Sequence, residues 1–309
     1  MPRLGPILVG LLAMVACSDP PPEAGDRTAE ADPLPRVTVD SVVTVPGGTT
    51  RIGVLDDEPG MPHERPAFSA SVEAFALDRS PVTVARFRRF VDATRHRTQA
   101  EIFGDGAVMD PATGAWALVP RAMWQQPVGP RRPAPPDDHP VTQVSHADAE
   151  AFCSWDGGRL PTEAEWEHAA RGATDDRRPY AWGDALKEGG TIRANTWTGT
   201  FPGGDDGADG YRSGTNPVGA FGETPLGLTD MGGNVWEWTA SWYRPYPLSG
   251  DETAPPVGPS GAPERVQRGG SYLCHPSYCH GFRVSARGHA TPESSFAHVG
   301  FRCARDLPG

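Results

Sequence analysis

RVQRGGSYLCHPSYCHGFRVSARGHATPESSFAHVGFRC, residues 265–303, holds three of the chain's five cysteines. Two of them, Cys274 and Cys279, stand five apart between a Gly269-Gly270 pair and a run in which aromatic and basic residues alternate. A Gly-Gly pair permits positive φ and a close backbone approach, so SYLC is predicted to enter as a short buried strand ending at the first sulfur. Two thiols at this spacing can close a structural disulfide, hold a soft metal or act as a redox pair. Zinc wants four ligands, and His275 and His280, each adjacent to a cysteine, tend to point away from it in an extended segment. Copper(I) is satisfied by two soft thiolates and leaves room for a third sulfur from a substrate. The spacing alone leaves the bridge and the copper site both open.

Outward from this stretch, local signals place the helices. Thr162 and Glu165 in GGRLPTEAEWE (157–167) form a capping box for a helix that ends at Gly172, and Ser145 with Asp148 caps another that carries Phe152, Cys153 and Trp155. A third runs from Thr83 to about Thr94, with Val84, Phe87, Phe90 and Val91 on one face, which reads as core packing. Glu163, Glu165 and Glu167 read as caps and solvated charges rather than paired catalytic acids. VTVDSVVTVPGGTTRIG (37–53) alternates and breaks at Pro46-Gly47-Gly48, predicting a hairpin, and ASVEAFALDRSPVT (70–83) gives a further strand. Glu101 to Pro140 reads as irregular, as does the proline-rich loop Tyr243 to Glu264.

The chain opens MPRLGPILVGLLAMVAC, an apolar core after Arg3 that is too short to span a bilayer comfortably and reads as a secretory signal over residues 1–17. Met14-Val15-Ala16-Cys17 resembles a bacterial lipoprotein processing site, the alternative being ordinary cleavage with Cys17 discarded. Residues 18–36, rich in Pro, Ala and acids and without an aromatic, read as a flexible tether. Residues 37–309 then read as one unit. The net charge of −11 with no basic block argues against nucleic acid as a partner, and 37 Gly with 34 Pro point to a folded domain dominated by loops. NTWTGTFPGGDDGADGY (195–211) concentrates oxygen donors without the spacing of an EF-hand, leaving a solvated acidic loop or a calcium site.

The residues quoted above, together with GNVWEW (233–238), resemble the formylglycine-generating enzymes, or sulfatase-modifying factors, over a span reaching back to about Val43. GNVWEW and RLPTEAEWE are shared with relatives of other or no activity and indicate fold; the cysteine pair in SYLCHPSYC is the discriminating feature. The resemblance implies an α+β, C-type-lectin-like fold with little regular secondary structure. It also implies copper-dependent oxidation of a cysteine in an unfolded protein segment, Cys-x-Pro-x-Arg, to Cα-formylglycine, using O₂ and a thiol reductant. Cys274 and Cys279 would hold Cu(I), with the substrate thiolate as third ligand. Ser271 and Trp236 match positions on the O₂ side, and Arg287 matches a pocket residue. One Ca²⁺ would take Asn195, Thr196, Asp209 and Tyr211, and a second Asp230, Gly233, Val235 and Glu237. Family pairing joins Cys153 to Cys303, and a second family disulfide is absent because Ala170 and Val284 stand at its positions, leaving Cys274 and Cys279 without structural partners. Pro276 and Gly281 replace basic residues, and His298 stands where relatives often have Asn. The expected protein is a bacterial, exported, lipid-anchored monomer. Two other readings stay open: a membrane-tethered, non-catalytic binding module of the same fold, and a copper-binding lipoprotein.

Overall fold

The first backbone N–H groups of a helix lack partners within it, and in this chain side-chain oxygens supply them. A computed structural model describes residues 42–247 and 255–308; the signal, Cys17 and the 18–36 tether lie outside the described residues. Thr83 accepts from Arg86 N at the start of α1 (Val84–Thr94). Capping boxes Thr98–Glu101, Ser145–Asp148 and Thr162–Glu165 open α2 (Gln99–Phe103), α3 (His146–Trp155) and α4 (Glu163–Ala170). Three of these helices follow from the sequence signals. The fourth, α2, overlaps the start of the stretch read as irregular, and Thr98-x-x-Glu101 at its beginning is an overlooked capping signature.

The strands β1 (Val42–Val45), β2 (Gly48–Ile52), β3 (Phe68–Val72) and β4 (Phe75–Asp78) correct the predicted hairpin. β1 pairs antiparallel with β4, and β2 with β3, so Pro46-Gly47-Gly48 is a corner between two ladders. The physical reason is close approach: a Cβ on Gly47 would lie 2.8 Å from Ala74 N and 3.0 Å from Val72 O. β5 (Asp105–Met109) and β6 (Trp116–Pro120) form a hairpin, again inside the stretch read as irregular. Two-residue ribbons follow, β7 (Lys187–Glu188) with β8 (Thr191–Ile192) and β9 (Gly199–Thr200) with β10 (Gly204–Asp205).

The central element is β11 (Trp236–Trp242), which begins within GNVWEW. It pairs antiparallel with β12 (Arg265–Arg268), which pairs with β13 (Arg287–Ala290), while β14 (Val299–Phe301) runs parallel on its other side. β15 (Ala304–Asp306) leaves this sheet to pair with β4, closing a second sheet of order β1–β4–β15. The predicted SYLC strand is absent. β12 stops at Arg268, and Gly269 (φ 93°) and Gly270 (φ 72°) turn the chain into tight turns that keep Ser271 to Cys274 buried.

One apolar cluster packs Phe87 and Phe90 of α1 and Phe152 of α3 against Trp124, Trp238 and Phe301. A second gathers Val45, Phe75 and Leu77 around Trp166 of α4. Cys153 and Cys303 are bonded at a Cα–Cα distance of 5.5 Å, tying α3 to the segment between β14 and β15 across 150 residues. In the chain-entropy estimate a loop of that size contributes up to about 5 kcal/mol.

Candidate active site

Cys274 and Cys279 sit on the turns that follow the Gly-Gly corner. Cys274 is buried, its carbonyl accepts from Trp197 N at 3.0 Å, and its sulfur takes the Ser271 N–H at 3.4 Å. The two sulfurs are bonded to each other, with the Cα atoms 5.4 Å apart. This corrects the expectation that they lack a structural partner: in this structure each is the other's partner. A metal-holding dithiol is the two-electron reduced form of the same pair. The pair lines a cavity of about 370 Å³ together with Ser271, Trp236, Leu273 and Tyr278. His63, Arg287, His289, Trp116 and His298 also face it. The sequence-predicted residues Ser271, Trp236 and Arg287 therefore meet the cysteines at one cavity.

Gly281 has a steric role that its reading as a lost charge does not capture. A Cβ there would lie 2.6 Å from the Trp236 ring, 2.7 Å from Cys274 Sγ and 2.8 Å from the Gly270 Cα. The chain crosses itself at this point, and glycine is what the crossing requires.

Arg287 reaches the cavity from β13, and its guanidinium is fixed on every side. Glu163 accepts from its Nε and Nη2 at 2.6 and 2.9 Å, and the His63 and Arg244 carbonyls accept from Nη1. The Tyr246 and Tyr243 rings lie against it at 3.9 and 4.7 Å. Glu163 also accepts from Tyr246 Oη, and Glu167 takes Arg268 and Arg171, each at 2.7 Å. Glu163 and Glu167 are thus fully buried, which corrects their reading as solvated charges; Glu165 is the cap it was expected to be. Burial alone would push the Glu163 carboxyl up, but Arg287 and Arg268 outweigh it and hold it below the usual carboxylate range. The overlooked signal is the presence of Arg268 and Arg287 in buried strand positions, where each needs a carboxylate.

Around the oxygen-rich loop, Asp209 gathers its neighbours. Its two carboxylate oxygens accept from Thr196 N and Tyr211 N at 2.9 and 3.0 Å. Burial pushes this carboxyl up, and Asp205 adds to the effect. The Asn195 amide donates to Gly214 O and Asn216 Oδ1. Thr196 and Tyr211 therefore meet at the half-buried Asp209 carboxylate, which has no ion-pair partner among the described residues, while the Asn195 side chain turns to Gly214 and Asn216. The second set departs from expectation at Glu237, whose oxygens are occupied by Arg302 Nε and Nη2 and Trp166 Nε1, each at 2.7 Å. Asp230, at φ 55°, accepts from Gly219 N and Asn234 Nδ2, and Gly233 and Val235 are the chain neighbours of Asn234. Among the described residues no three His, Cys, Asp or Glu side chains form a ready-made metal cluster.

The oxygen-rich loop and the cysteine turn are mechanically joined. Phe201 stacks on the half-exposed Tyr278 at 4.4 Å, in addition to the Trp197 N–H on the Cys274 carbonyl.

Residues 27–307 match the family model described as sulfatase-modifying factor enzyme 1-like domain. The chain is 43% identical over 312 residues to a formylglycine-generating enzyme of Streptomyces coelicolor, covering 94% of both chains. It is also 39% identical to a mouse protein described as inactive Cα-formylglycine-generating enzyme 2, covering 85% of each. Among solved structures it is similar to PvdO from Pseudomonas aeruginosa, with a TM-score of 0.62 and 28% identity over 87% of this chain and 95% of that one.

Proposed function

The chain belongs to the sulfatase-modifying factor enzyme 1-like family, and from that premise we propose that it oxidises a cysteine of an unfolded protein segment, Cys-x-Pro-x-Arg, to Cα-formylglycine. In the balanced reaction the substrate CH₂–SH, one O₂, two electrons and two protons give the aldehyde, hydrogen sulfide and water. A thiol reductant supplies the electrons. The observation that carries this reading is the Cys274–Cys279 pair at the wall of a cavity large enough for a side chain and its flanking backbone. In reduced form these two sulfurs are the residues that would hold Cu(I), whose chemistry is the activation of O₂ toward a thiol.

The other residues bind and orient. Trp236 and Tyr278 wall the cavity around the incoming thiol, and Ser271, buried and accepting from Leu273 N at 3.2 Å, fixes the turn that presents Cys274. Arg287, neutralised by Glu163, offers a positioned guanidinium without a net charge at the wall. Calcium at Asn195, Thr196, Asp209 and Tyr211 would hold the loop that braces this turn; for the second set, Asp230 and the backbone of Gly233 and Val235 remain as donors.

A non-catalytic binding module is the second reading, motivated by the inactive mouse relative at 39% identity. The two separate by mass spectrometry of a Cys-x-Pro-x-Arg peptide incubated with Cu(I)-loaded protein, O₂ and a thiol. The enzyme converts the thiol to an aldehyde; binding without conversion favours the module. The apolar run ending at Cys17 supports an exported, lipid-anchored bacterial protein. Fatty-acid labelling should mark the wild type and spare Cys17→Ser; equal release of both to the soluble fraction contradicts the anchor.

A further inference from the structure

Three histidines line the cavity that holds Cys274 and Cys279, namely His63, His289 and His298. Their surroundings suit them to different tasks. His298 has its Nδ1 buried without a hydrogen-bond partner, and burial pushes its ring down to about 3. His63, in the turn Pro62–Glu64, is also pushed down by burial, and its Nε2 lies 3.2 Å from the Arg287 carbonyl. Either ring resists taking up a proton. His289 is placed otherwise, with its Nδ1 2.6 Å from Glu264 Oε2. The two atoms meet at ion-pair distance without the angle of a full hydrogen bond.

Glu264 is buried, and its other oxygen accepts from Ser260 N at 3.2 Å, so the carboxylate is held where it stands. The His289 ring lies 4.0 Å from the Tyr243 ring, and its side chain remains 30% exposed. The charged and titratable groups around it are Glu264 from the segment before β12, Tyr243 beyond β11, His63, and Arg287 on its own strand, the last matched by Glu163. A carboxylate 2.6 Å from Nδ1 favours the tautomer with the proton on that nitrogen. Nε2 is left as the basic atom, and the carboxylate balances positive charge arriving on the ring.

We propose that His289, backed by Glu264, is the base that takes the proton of the substrate cysteine as it enters the cavity. The inference rests on the oxidation reading above, in which the substrate must arrive as a thiolate. A free thiol, with a pKa of about 8.5, is only a few per cent ionised at neutral pH. In the step the S–H bond breaks, its electron pair stays on sulfur, and the proton bonds to His289 Nε2. No oxidant is consumed.

The test uses the full chain and two peptides, Cys-x-Pro-x-Arg and its Ser counterpart. With reduced, metal-free protein under anaerobic conditions at pH 7, histidine ¹⁵N NMR should show the His289 ring moving to imidazolium values with the Cys peptide and not with the Ser peptide. Glu264→Gln should abolish that response. In the Cu(I)-loaded protein, His289→Gln should lose about 100-fold in kcat/KM at pH 7, the scale of general-base catalysis. The deficit should close toward pH 9, where the thiol ionises unaided. A deficit equal at every pH, or an aldehyde-forming wild type whose His289 ring ignores the Cys peptide, overturns the assignment and leaves the oxidation reading standing. A wild type whose His289 is protonated by the Cys peptide but forms no aldehyde overturns the oxidation reading and leaves the proton transfer.

Discussion

Cys274 and Cys279 owe their placement at the cavity to their surroundings as much as to their element. One is buried against Trp236 and Gly281, and the turn that carries both is fixed by glycines at positive φ and by the Trp197 N–H. Gly281→Ala tests that view directly. Its new methyl would collide with both the sulfur and the indole, so the variant should lose about 1–3 kcal/mol of stability, as overpacking does. Its Cu(I) affinity should fall at least tenfold, read by competition with a chelator. Unchanged copper binding and melting temperature would contradict the crossing. The cysteine pair and the Gly-Gly corner are legible in the sequence, since spacing and residue type carry them. The requirement for glycine at position 281 is not, because it arises only where that residue meets Trp236, 45 positions earlier in the chain.

Among elements, α4 shows where local reading succeeds and where it stops. Its capping box is set by residues three apart and is readable from sequence. The burial of Glu163 and Glu167 depends on Arg287 and Arg268, which lie more than a hundred residues away. The helix presents two of its acids to these arginines and leaves Glu165 to the cap and to Arg159. Removing one partner of a buried pair costs about 3–5 kcal/mol, so Glu163→Gln should be far more destabilising in urea than Glu165→Gln, at about 1 kcal/mol. Similar losses would mean that the network contributes little. The pH dependence has a definite sign. Glu163 and Glu64 are held below their ordinary value of 4.5 despite burial, Glu64 chiefly by Arg283. Their contribution is present above about pH 4.5 and is lost as pH falls through the lower folded-state values. Melting temperature should therefore begin to fall below about pH 6.5, where the unfolded chain protonates histidines such as His63 and His298 that the fold keeps neutral, and fall further below about 4.5, where Glu163→Gln should flatten part of the loss. A similar misreading explains the β1–β2 corner, where Pro-Gly-Gly has the composition of a hairpin turn but the partners β3 and β4 come from further on.

For the whole molecule, few regular elements are held together by long-range ties: a 150-residue disulfide, a C-terminal strand returned to β4, and buried arginine–carboxylate pairs. The oxygen-rich loop is a further tie, because it touches the cysteine turn through Trp197 and Phe201. If Ca²⁺ binds there only in the folded state, chelation should lower the melting temperature by mass action, and Asp209→Ala should remove most of that response. It should also loosen Cu(I) binding through the shared contacts. A calcium-loaded protein whose melting curve ignores chelators would contradict the site. The fold class is legible from the shared motifs, whereas the pairing of strands separated by two hundred residues is not, since no local signal encodes it. The proposed function requires Cys274 and Cys279 to form a reducible, metal-holding pair rather than a structural staple. The measurement is peptide conversion and Cu(I) titration, alongside thermal melting, for Cys274→Ser and Cys279→Ser, with Cys153→Ser as control. Each of the first two should lose tight Cu(I) binding and aldehyde formation with little change in stability, and the control should melt lower while keeping its Cu(I) ligands. Variants at 274 and 279 that melt many degrees lower, or that still convert the peptide, would contradict it.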